Sequence, residues 1–127
     1  MALDPEVKPL LEFFEALGMP DPRTVTPQQL RDAMVMPPPE NPTPVAGVED
    51  MSLPGPEGPV PVRIYRPASA NAPVLLYFHG GGWVIGGLDT LDETCRQFCA
   101  NAGMLVISVD YRLAPEHPFP GGLEDCY

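Results

Sequence analysis

An α/β fold built on a mostly parallel sheet is what this sequence predicts, on three observations. Two short runs, Val74 to Phe78 and Met104 to Val109, are apolar at nearly every position, as strands covered by helices on both faces are. Between them Leu91, Cys95, Phe98, Cys99 and Ala102 recur at helical spacing. Ahead of them Val45 to Leu53 and Val60 to Tyr65 bracket Pro54-Gly55-Pro56-Glu57-Gly58-Pro59, the pattern of an antiparallel hairpin.

The 19 prolines place these elements, because each lacks an N–H and fixes φ, confining helix interiors and inner strands to the gaps between them. In the first gap Val7, Leu10, Leu11, Phe14 and Leu17 mark a helix behind Asp4-Pro5, kinked at its start by Pro9 and stopped by Gly18. A second helix opens with Thr26-Pro27-Gln28-Gln29, a capping box with proline at the first helical position. It carries Leu30, Ala33, Met34 and Met36 and ends at Pro37-Pro38-Pro39. The hairpin that follows, with its proline-bearing strands, suits a sheet edge. Asp89 or Thr90 can cap the helix between the apolar runs and Gly103 can end it, so strand, helix and strand read as a right-handed βαβ unit.

Charge excludes several classes of partner. Against 17 acidic residues stand 7 basic ones, a net charge of −10; phosphate backbones and anionic headgroups reward the opposite balance. Neither nucleic acid nor a membrane surface is an expected partner. No window approaches the roughly 18 apolar residues of a spanning helix, and no basic, then apolar leader opens the chain. Of three cysteines, Cys95, Cys99 and Cys126, which cannot all pair with one another, Cys95 and Cys99 at i, i+4 spacing read as small core side chains, a usage that fits a reducing compartment. A cytoplasmic location is the expectation.

The chemistry sits in His79-Gly80-Gly81-Gly82-Trp83, directly after the first inner strand. Successive glycines can turn consecutive N–H groups into one cavity, where they stabilise an oxyanion or cradle a phosphate. A dinucleotide-binding loop would need glycine where Ile85 stands, and Asp110 after the next strand is its sole support. A plain turn leaves the flanking histidine and tryptophan without a purpose.

This loop resembles the H-G-G-G-type oxyanion loop of α/β-hydrolase lipases and esterases. Asp110-Tyr111-Arg112-Leu113-Ala114-Pro115-Glu116-His117-Pro118-Phe119-Pro120 is similar to the segment after the next strand in the hormone-sensitive-lipase-like carboxylesterases. The resemblance implies that the chain is the N-terminal part of an α/β-hydrolase fold, with residues 1–40 as cap helices and 41–127 as the first part of the catalytic domain. It further implies carboxylic ester hydrolysis through a serine acyl-enzyme, with no metal or organic cofactor. The N–H groups of Gly81 and Gly82 would hold the oxyanion, Gly80 would shape the turn, and His79 would anchor the loop. Trp83 would line the substrate pocket, an ordinary core tryptophan being the competing assignment. Arg112 with Glu116 or Asp110 would brace the loop from beneath, and His117 would be structural.

Three departures from the resemblance stand out. Leu91 takes a place where histidine is common in these esterases. Gly121-Gly122 replaces the alanines expected there, loosening the next helix by roughly 1 kcal/mol per glycine. The serines are Ser52, Ser69 and Ser108, none in a G-x-S-x-G elbow, so the nucleophile, acid and base are expected in a remainder of the hydrolase, as a C-terminal segment or a second chain. Expected partners are therefore that remainder and a small ester substrate. The alternatives are a non-catalytic small-molecule receptor on the same fold, or a nucleotide-binding βαβ module.

Overall fold

The computed structural model describes residues 4–16, 18, 20, 21, 23–35 and 37–127. Leu17 and Met36, expected near two helix ends, and the side chain of Phe14 lie outside the described residues. The chain divides into two compact units, Met1–Ala33 and Met34–Tyr127.

The first unit holds α1 (Lys8–Ala16) and α2 (Pro27–Ala33). The Asp4 carboxylate accepts the N–H of Glu6 at 2.9 Å, and Gly18, at φ 61°, donates its N–H to the Glu15 carbonyl after the last turn of α1. The capping box of α2 is reciprocal: the Thr26 N–H reaches Gln29 Oε1 at 2.9 Å and the Gln29 N–H reaches Thr26 Oγ1 at 3.2 Å. α2 ends at Ala33, short of the proline run expected to stop it, since residues approaching a proline lose the helical region of φ/ψ.

The second unit is a four-stranded sheet in the order β1-β2-β4-β3, formed by β1 (Gly47–Gly55), β2 (Gly58–Arg66), β3 (Val74–Phe78) and β4 (Leu105–Val109), with α3 (Asp92–Ala102) and α4 (Gly121–Asp125). β1 and β2 form the antiparallel hairpin, and β3 and β4, joined through α3, pair in parallel. β1 occupies an edge, but β2 lies inside the sheet, antiparallel to β4. Its prolines permit this because the ladder with β4 runs only from Val62 to Tyr65, and Pro59 and Pro61 fall outside it.

Side chains alternate between two clusters. Val60, Val62, Ile64, Val109 and Tyr111 form one; Tyr65 and Val106 join Cys95 and Cys99 of α3 in the other. β3 departs from the expectation of a strand covered on both faces. Leu75 and Tyr77 pack on the α3 side, whereas Val74, Leu76 and Phe78 are 62%, 55% and 42% exposed. Its free edge and the absence of a helix over that face, among the described residues, account for the difference.

α3 takes no side-chain cap; its N-cap position is Leu91. The Asp89 carboxylate accepts instead from Arg63 at 2.8 Å. Gly103 ends α3 in the left-handed region, as expected. Among the described residues no helix is long and apolar enough to cross a membrane.

Candidate active site

The loop after β3 is held by its own carbonyl groups. The Gly81 carbonyl accepts the N–H groups of Val84 at 3.1 Å and Ile85 at 3.0 Å, closing a turn around it. The preceding carbonyl, of Gly80, lies 2.9 Å from His79 Nδ1. A carbonyl only accepts, so the imidazole carries its proton on Nδ1. These two carbonyls belong to the peptide groups that carry the N–H of Gly81 and of Gly82. A trans peptide points its C=O and N–H in opposite directions; tying the carbonyls into the loop turns both N–H groups away from it. Neither N–H has an acceptor among the described residues.

Backbone conformation explains the residue choice. Gly81 sits at φ 137°, where a methyl group would overlap the Ile85 carbonyl. Trp83 is the one described non-glycine residue with positive φ, at 63°, an uncommon geometry concentrated at functional sites. Its carbonyl accepts the Ala114 N–H at 2.8 Å, tying the loop to the segment after β4. The Trp83 side chain stays half exposed and, with Arg112, Ala114, His117, Phe119 and Leu123, lines a cavity of about 370 Å³.

His79 is buried, with its ring stacked on Tyr111 at a centroid distance of 4.2 Å. The Tyr111 hydroxyl donates to the His79 carbonyl at 2.6 Å. Tyr111 also meets the Trp83 ring at 5.3 Å, so one buried tyrosine touches both ends of the motif. Its role had no sequence signal, because a tyrosine two residues past a strand fits equally well as core. Asp110, beside it, is half-buried against Gly87, and burial pushes its carboxyl above the usual range.

Arg112 is braced by side chains other than Asp110. Its Nε donates to Asp125 at 2.8 Å, its Nη2 reaches the Gly121 carbonyl at 3.3 Å, and its Nη1 pairs with Glu57 in the hairpin turn. α4 turns back so that Asp125 also takes the Arg112 backbone N–H at 2.9 Å, a proximity that sequence spacing does not reveal. Glu116 is exposed. At Gly122 packing supplies a reason for glycine that helix propensity does not. It is buried, and a methyl group there would sit 2.7 Å from the Arg112 carbonyl oxygen and 3.2 Å from both the Trp83 and Tyr111 rings. Glycine is what lets α4 pack that closely.

Known proteins resemble this chain in sequence and in fold. Residues 75–127 match the family described as alpha/beta hydrolase fold. Esterase LipI of Mycobacterium tuberculosis is 59% identical over 69 residues, which is 51% of this chain and 22% of that protein. Carboxylic ester hydrolase LipN of the same organism is 54% identical over 66 residues, 51% of this chain and 18% of that protein. The structure of a hyperthermophilic esterase from the archaeon Pyrobaculum calidifontis superimposes with a TM-score of 0.84 at 35% identity, covering 100% of this chain and 42% of that one. The chain therefore spans less than half the length of these proteins.

Proposed function

We propose a function from the premise that this chain, through residues 75–127, belongs to the α/β-hydrolase fold family and to its hormone-sensitive-lipase-like esterases. It supplies the oxyanion-binding part of a carboxylic ester hydrolase. The observation that carries the reading is the pair of N–H groups on Gly81 and Gly82, left without acceptors while their partner carbonyls are bonded inside the loop. Donors fixed before the reaction stabilise charge that develops on the carbonyl oxygen only in the transition state, which is where binding accelerates chemistry.

A serine from the remainder of the hydrolase attacks the ester carbonyl, its histidine moves the proton, and Gly81 and Gly82 hold the oxyanion until the alcohol departs. Ser108 is not that serine, being wholly buried in β4. Gly80 shapes the turn, His79 anchors it, and Trp83 lines the pocket for one half of a small ester. The remainder arrives as a C-terminal segment or a second chain, and the enzyme works in the cytoplasm without cofactor. Residues 1–40 serve as a cap. Deleting residues 1–36 from the assembled hydrolase is expected to shift acyl-length preference and lower the melting temperature together; if both hold constant, the cap reading fails.

The direct test exchanges segments. In the M. tuberculosis esterase LipI, the 69 residues that align with this chain are replaced by this chain's own. The chimera is expected to hydrolyse p-nitrophenyl esters, while residues 1–127 alone stay at buffer background. A chimera that melts cooperatively yet turns over nothing would overturn the proposal.

A further inference from the structure

We infer that Tyr111 is a positioning residue for the oxyanion-binding loop, acting through His79 to set the direction of the Gly81 N–H. The inference rests on the reading of that loop given above. Orientation of the Gly81 amide is decided by the Gly80 carbonyl in the same peptide group, and His79 Nδ1 holds that carbonyl at 2.9 Å. That bond holds the imidazole at one point, its Nδ1. Tyr111 supports the residue twice, stacking on the ring with 12° between planes and donating its hydroxyl, which also lies 3.3 Å from Nδ1, to the His79 main-chain carbonyl at 2.6 Å.

The arrangement is tight on every side. Tyr111 is only 4% exposed, and a methyl group on Gly86 would overlap His79 Nδ1 itself. Tyr111 is in turn set by the end of β4, by Gly122 beneath its ring, and by the Trp83 side chain. Burial pushes its phenol above the ordinary tyrosine range, so the hydroxyl remains a neutral donor through the working range of pH. His79 Nε2 is buried with no partner among the described residues. The ring thus gains its orientation from Nδ1 and from Tyr111. A donor displaced by an ångström loses much of its effect on the transition state and little of its effect on substrate binding.

Tyr111→Phe in the assembled hydrolase keeps the stack and removes only the hydroxyl. Tyr65→Phe is the matched control, because it removes another buried tyrosine hydroxyl, bonded to Asp92 at 2.8 Å on the α3 side of the sheet. With kcat counted per site titrated by a p-nitrophenyl phosphonate, Tyr111→Phe is expected to lower kcat by roughly 10- to 100-fold. KM should stay within about twofold, and Tyr65→Phe should lower the melting temperature with kcat unchanged. Counting kcat per titrated site keeps the inference refutable if Tyr111→Phe folds poorly, because the folded fraction alone is read. Equal kcat in Tyr111→Phe and Tyr65→Phe would reduce Tyr111 to a structural residue. A parent without ester turnover would overturn the functional reading and this inference together.

Discussion

The hairpin turn at Gly55-Pro56-Glu57-Gly58 and the loop at Gly80-Gly81-Gly82-Trp83 are both glycine-bent, yet they handle their backbone donors in opposite ways. In the turn, Gly55 faces Gly58 across the antiparallel ladder, and the bend returns the chain into the sheet that satisfies it. In the loop the carbonyls are satisfied and the N–H groups of Gly81 and Gly82 are not. Gly81 is partly exposed and Gly82 exposed, so the loop presents two N–H groups in fixed directions to whatever approaches from outside it. Glycine content alone does not separate a connector from a site. The destination of the carbonyls does.

The comparison breaks most sharply at Gly82. With φ at 60°, Gly82→Pro both removes the donor and forces the opposite sign of φ. In the assembled hydrolase it should cost at least the 10² to 10³ in kcat, about 2.7 to 4 kcal/mol, typical of one lost oxyanion donor. Gly82→Ala keeps the N–H, meets no atom within 4 Å, and carries only the left-handed strain of roughly 1–2 kcal/mol. Gly87→Ala, in ordinary contact with Asp110 at 3.4 Å, serves as the control; Gly86 cannot, being pressed against His79. Within the turn, Gly55→Ala would place a methyl group 2.5 Å from Val60 Cγ2, destabilising the fold by about 1–3 kcal/mol with kcat per folded enzyme unchanged. Should Gly82→Pro keep kcat within about twofold of the parent, or Gly55→Ala lower kcat as Gly82→Pro does, the distinction between the two regions would collapse.

Arg112 ties the hairpin turn to α4, pairing with Glu57 of the one and Asp125 of the other. Burial of Asp125 favours its neutral form, but the hydrogen bonds from the Arg112 side chain and backbone outweigh it and hold the carboxyl below the usual aspartate range. A carboxyl depressed in the native state adds stability that is fully present above its unfolded value of about 3.9 and is lost as pH falls through the native one. The smallest of these effects is therefore an acid-side loss of melting temperature below about pH 4, flattened in Asp125→Asn. An identical acid slope in the variant would remove Asp125 from this role.

Periodicity and proline placement were enough for the helices, the hairpin and the βαβ unit, since each of these is written in residues a few positions apart. The capping box of α2, the Gly103 stop and the glycine loop are local in the same sense. Tertiary structure decided what depends on distant partners. It drew Asp89 away from α3 to Arg63, set β2 inside the sheet by ending the β4 ladder before Pro61, and gave Arg112 to Asp125 and Glu57. It also made Gly122 a packing necessity and Tyr111 the support of His79. A side chain's role in those places follows from which atoms lie across a gap of a few ångströms, and spacing along a chain carries no record of that.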